Sequence, residues 1–147
     1  MNRVQVVMTT ITAATALLAA VACSGGGERK VSVELAEWRV VANPAQVKHG
    51  KVTFTARNSG PEDPHELVVV RTDLPADQLP IGEDGGIDEE AVEVLGEIEP
   101  FGVGETQKLT LDLPPGRYVL LCNIVEVEEG QRESHYKKGM FTAFVVE

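Results

Sequence analysis

Leu113-Pro114-Pro115-Gly116-Arg117-Tyr118-Val119-Leu120-Leu121-Cys122 runs from a turn into an apolar strand. Proline has no N–H to give a ladder and glycine accepts turn dihedrals, so Pro114 to Gly116 separates two strands. A tyrosine just after such a turn, at the start of a late strand, resembles the tyrosine corner of Greek-key proteins. Successive strand residues face opposite ways, so Tyr118, Leu120 and Cys122 share one face. A core-facing Tyr118 then places Cys122 at the inner end of a sandwich.

The same period of two recurs on both sides. Val31-Ser32-Val33-Glu34-Leu35, Val52-Thr53-Phe54-Thr55-Ala56 and Leu109-Thr110-Leu111-Asp112-Leu113 alternate apolar with polar, as half-buried strands do. Glu66 to Arg71 is mostly apolar and reads as a central strand, and Phe141 to Val146 closes the chain. Asn43-Pro44 and His49-Gly50 supply turns, and Leu74 to Gly86, broken by prolines and glycines, reads as a long irregular connection. Asp88 to Leu95 is either a short helix with Asp88 as N-cap or, from Val92, another strand. The expected fold is all-β: a Greek-key β-sandwich or barrel of about seven or eight strands in a single domain, residues 31–147.

Residues 1–22 read differently. A basic start at Met1-Asn2-Arg3, an apolar run from Val4 to Val21 and the small residues Ala20-Val21-Ala22 make an export signal. A transmembrane anchor is the alternative, disfavoured by the threonines and by the lack of stop-transfer charges. Leu17 to Gly27 resembles a bacterial lipoprotein signal, with Ala20 where leucine is commoner; the resemblance implies a lipid on Cys23, a membrane attachment and a flexible tether over 23–30. Without lipid the chain is a secreted protein. Both versions are exported, to the outer face of the membrane, the periplasm or beyond.

The chain has two cysteines. With Cys23 lipidated, Cys122 has no disulfide partner in an oxidising compartment and is either a small buried hydrophobe or a ligand. The net charge of −10 becomes −11 without residues 1–22, which carry Arg3 and no acid. Such a surface repels phosphates and excludes nucleic acid as a partner. Ten acids and no Lys or Arg lie between Asp73 and Glu99. They form either a solvated, charge-bearing loop or a docking face for a basic protein.

His65, Cys122, His135 and Met140 supply two imidazoles, a thiolate and a thioether, the donor set that suits copper cycling between two oxidation states. Gly50-Lys51-Val52-Thr53-Phe54, Asn58-Ser59-Gly60, Pro64-His65-Glu66-Leu67, Pro115-Gly116-Arg117-Tyr118, Cys122-Asn123-Ile124 and His135-Tyr136-Lys137-Lys138-Gly139-Met140 together resemble a cupredoxin of the plastocyanin/azurin type. The resemblance spans Val31 to Glu147. It implies one copper ion, with His65, Cys122 and His135 as equatorial ligands and Met140 axial, and Asn58 orienting the loop that carries the thiolate. It further implies a monomeric one-electron carrier with a redox protein as partner, a basic one if the acids guide docking.

One departure stands out. Twelve residues separate Cys122 from His135, where the family has a few, and they include Glu126, Glu128, Glu129 and Glu133. Val125 to Ser134 reads as an excursion that doubles back at Gly130, and loop closure over that length costs little. Taken singly, His65 reads as a strand cap and Met140 as core filler; His49 beside Gly50 reads as a turn residue with no metal role. The alternatives to electron transfer are a copper storage or delivery module and a metal-free interaction domain. No nucleophile triad, second metal centre or phosphate loop supports an enzyme.

Overall fold

In a computed structural model, residues 27–128 and 130–147 are described. The signal segment, Cys23 and the first part of the tether lie outside them. The strands are β1 (Arg29–Ala36), β2 (Arg39–Asn43), β3 (Gln46–Val47), β4 (Gly50–Asn58), β5 (His65–Arg71), β6 (Glu93–Phe101), β7 (Thr106–Leu113), β8 (Gly116–Leu121), β9 (Val125–Glu128), β10 (Gln131–Ser134) and β11 (Phe141–Val146). β1 therefore begins at Arg29, ahead of Val31.

One sheet runs β2-β1-β4-β7 and the other β3-β11-β8-β5-β6, with β10-β9 as a separate hairpin. The strand count exceeds seven or eight for physical reasons. β2 folds back on β1 through a two-residue turn, Glu37-Trp38, that lacks the usual glycine or asparagine signal. β9 and β10 pair within the insertion after Cys122. Of the two readings of 88–95 the strand prevails: the helix is only a 3-10 turn, Glu89–Ala91, with the Asp88 carboxylate accepting from the Glu90 N–H, and β6 begins at Glu93.

Val31, Val33, Leu35, Phe54, Leu67, Val69, Tyr118, Leu120 and Phe144 fill the space between the sheets. Phe54 and Phe144 meet edge to face across it, with centroids 5.4 Å apart. Each such side chain contributes about 1.5–3 kcal/mol on leaving water. The Tyr118 hydroxyl donates to the Pro114 carbonyl at 2.6 Å, forming the expected corner.

Val68, Val70, Val119 and Leu121 face the other side of the second sheet, where Leu79, Ile87 and Tyr136 cover them. The long connection is thus irregular but not simply solvated. Leu79 and Ile87 are pinned to the sheet while Leu74, Ile81, Asp77, Glu83, Asp84, Glu89 and Glu90 stay exposed. Tyr136 fixes it, its hydroxyl accepting from the Leu79 N–H at 3.0 Å and donating to the Ala76 carbonyl at 2.9 Å.

Candidate metal centre

Every element that carries a candidate ligand ends at the same pole of the sandwich. His65 opens β5, and Cys122 follows the last residue of β8, its neighbour in the sheet. Met140 immediately precedes β11, which pairs with β8 on the other side. The Cys122 N–H donates to the Met140 carbonyl at 3.0 Å, and the Met140 N–H to the His135 carbonyl at 3.1 Å. These bonds lock the last three candidates into one closed loop.

The insertion does not carry His135 away. Val125 pairs with Ser134 and Glu128 with Gln131, so the excursion starts and ends at adjacent positions. Gly130, at φ +81°, turns the tip through the left-handed region that glycine tolerates. The His135 N–H then donates to the Ile124 carbonyl at 3.0 Å, returning the chain to Cys122.

One ligand atom each from His65, Cys122 and His135 lie within 4.8 Å of one another, and all three residues are fully buried. Cys122 Sγ is 3.4 Å from His135 Nδ1 and receives the Glu66 N–H at 3.5 Å. Both ring nitrogens of His65 and Nε2 of His135 are buried without a protein hydrogen-bond partner among the described residues. Unsatisfied buried polar atoms cost about 1–3 kcal/mol each, and nitrogen lone pairs converging on a sulfur are what a metal ion would satisfy. Met140 is fully buried in the same core cluster as Cys122. Two imidazoles, a thiol and a thioether fit a soft or borderline ion that accepts few ligands, copper above all.

Burial also sets the protonation states. It pushes the pKa of His65 and of His135 below the ordinary imidazole value, favouring the neutral, ligating form. It pushes the Cys122 thiol up to about 12, with Glu66 and Glu126 adding to burial against the lowering effect of the Glu66 and Ile124 backbone; a bound metal ion would displace that proton. Glu66, next to His65 in β5, is raised to about 7, mainly by burial and then by Glu89, Glu97 and Glu99, against the lowering effect of the Asn123 N–H that it accepts at 2.8 Å.

Asn58 acts on a different loop from the one expected. Its side chain donates to the Asp63 carbonyl at 2.9 Å and the Phe101 carbonyl at 3.0 Å, and accepts from the Gly60 N–H at 2.8 Å. It therefore holds the loop that delivers His65, not the one that carries Cys122. The reason is position: Asn58 ends β4 and has the 59–64 loop wrapped around it.

No protein-family model matches the sequence, and no curated protein matches it. Solved structures do. An auracyanin from the photosynthetic bacterium Roseiflexus castenholzii shares 18% identity with a TM-score of 0.54, over 83% of this chain and 99% of that one. Auracyanin A, a "blue" copper protein from Chloroflexus aurantiacus, shares 18% with a TM-score of 0.54, over 82% of this chain and 100% of that one. Rusticyanin from Thiobacillus ferrooxidans shares 18% with a TM-score of 0.53, over 83% and 79%. The chain has the cupredoxin fold.

Several residues around the site escaped the sequence reading. Glu37 accepts from the Asp63 and Glu62 N–H groups at 2.8 and 3.0 Å and stands 3.6 Å from His65 Nε2. Burial alone would raise its carboxyl, but those amides outweigh burial and hold it below the usual range. Trp38 meets the His135 ring edge to face at 5.1 Å. Asp63 and Glu126 bring carboxylate oxygens within 4.8 Å of a His135 nitrogen. The one signal available was the Glu37-Trp38 turn, where two residues unsuited to a hairpin tip stand side by side. His49 lies at the other end of β4, in contact with the Glu147 carbonyl and away from the site.

Proposed function

We propose that this protein is a one-electron carrier that holds a single copper ion between His65, Cys122 and His135, with Met140 as a weak fourth ligand. The observation that carries the reading is the convergence of one thiol and two neutral, hydrogen-bond-deficient imidazoles in a fully buried pocket. Copper bound there would supply a one-electron couple. The chain's part is rigidity: β5, β8 and β11 are hydrogen-bonded neighbours, so the donors need little rearrangement between oxidation states. Glu37, fixed by the Glu62 and Asp63 N–H groups, sets a carboxylate 3.6 Å from His65 Nε2, and the Glu66 N–H stabilises charge on the sulfur.

The wider assignment rests on sequence. Export and a lipid on Cys23 would place the domain on the outer face of a membrane, and the exposed acids of the 73–99 segment suit a basic redox protein as partner. The fold neighbours, which include a "blue" copper protein, support a carrier. The test is voltammetry of the copper-loaded domain. A reversible one-electron wave supports the reading; tight Cu(I) binding with no reversible wave contradicts it and favours storage or delivery.

A further inference from the structure

The ring of His135 is fully buried, so a redox partner cannot touch it. Glu126 of β9, Asp63 and Trp38 at the β1–β2 tip come close to it. Trp38 is the part of that cover that is both half-exposed and in ring-to-ring contact with His135, at 5.1 Å and 76°.

Trp38 is held there from several sides. Its carbonyl lies so near Gly139 that a Cβ at that position would be 3.1 Å away. Lys138 places its ammonium 3.8 Å from the centroid of the indole, and the same ammonium pairs with Glu133 on the insertion. Cation–π contact of this kind is worth about 0.5–2 kcal/mol. A two-residue hairpin tip ordinarily carries Asn, Asp or Gly, so a tryptophan there departs from local turn chemistry. Departures of that sort concentrate at functional positions.

We infer that Trp38 is the electron port of this protein: the redox partner docks on the indole, and the electron passes between partner and copper through Trp38 and His135. The inference rests on the copper reading above. In the reductive direction a one-electron donor is oxidised, Cu(II) becomes Cu(I), and no bond or proton moves. The indole acts as a bridge and is not itself oxidised. The insertion between Cys122 and His135 has a role in this account, since Glu133 and Lys138 brace the port.

The test uses hexaammineruthenium(II) as the one-electron donor and follows reduction of the copper-loaded protein by stopped flow. Trp38→Leu is expected to slow reduction by about tenfold, equivalent to about 1.4 kcal/mol of activation free energy, with Trp38→Phe recovering part of the rate. Colour, potential and thermal unfolding of both variants check that the site and fold persist. Rates equal to or above wild type in correctly coloured variants would make Trp38 a mere cover and overturn the port alone. Loss of the coloured copper site in the wild type would instead overturn the carrier reading. A readout independent of electron transfer comes from the metal-free protein, because Trp38 is the chain's sole tryptophan. Its fluorescence should be quenched by acrylamide in the folded state and by Hg(II) bound at the site. Full protection from acrylamide contradicts the port.

Discussion

Asn58→Ala should loosen the site from one side. The side chain makes three hydrogen bonds, two of them fully buried, to Gly60, Asp63 and Phe101. At about 1 kcal/mol each the loss is about 3 kcal/mol, and somewhat more if Phe101 and Gly60 are left unsatisfied. For a domain of this size that is a fall in Tm of roughly 10 °C. The loop from 59 to 64 ends at His65, so copper affinity should fall by about 10- to 100-fold, as it does when groups that orient a ligand are removed. Calorimetry of the metal-free and loaded forms, with competition by a chelator, measures both. The Cys122 side of the site should be spared, its thiol as inaccessible to reagents in the folded metal-free variant as in wild type. A variant with unchanged Tm and unchanged copper affinity, or one in which Cys122 becomes reactive first, would refute the assignment of Asn58 to the His65 loop.

The metal-free protein should be sensitive to acid. His65 and His135 have folded pKa values below the unfolded value of about 6.5, so their contribution is present above that pH and is lost as pH falls below it; denaturant unfolding from pH 8 to 5 measures this. Glu66 works the other way, because its folded pKa of about 7 lies above the unfolded value. Stability is lost as pH rises from about 4.5 to 7, so Glu66→Gln should gain on wild type across that window, by up to about 3 kcal/mol above it. A gain independent of pH would contradict the buried, protonated Glu66. Gly139→Ala, forced to hold φ +114° with its Cβ 3.1 Å from the Trp38 carbonyl, should cost about 1–3 kcal/mol and shift Trp38 fluorescence. The Cys122 thiol, raised to about 12 and fully buried, should react with thiol reagents only as fast as the metal-free protein opens. Replacing Glu126 to Glu133 by a two-residue turn should leave the copper site in place, since Val125 and Ser134 are already neighbours, and expose the His135 ring to solvent.

Period-two alternation carried β1, β4 and β7 directly, because each buries mainly one face, and the Pro-Pro-Gly turn located β8, Tyr118 and therefore Cys122. β2 was not legible: its turn is made by Glu37 and Trp38, which signal no turn. The connection over 74–86 read as loop because Leu79, and Ile87 just after it, are isolated among prolines, glycines and acids with no period to follow. The ligands were visible as donor types in an ordered series. Whether the late histidine returned to the sulfur depended on pairing between Val125–Glu128 and Gln131–Ser134, short polar segments whose alternation alone does not specify a partner. The Asn58 role was assigned to the wrong loop because hydrogen-bond partners two to 43 residues away leave no pattern in a sequence.

Titration of the metal-free protein with Cu(II), followed by optical absorption and repeated on Cys122→Ser, tests the central claim most directly. One equivalent of copper should produce an intense blue or green thiolate band in the wild type and none in the variant. A colourless adduct in the wild type, with the Cys122 thiol still free when the protein is unfolded, would contradict it.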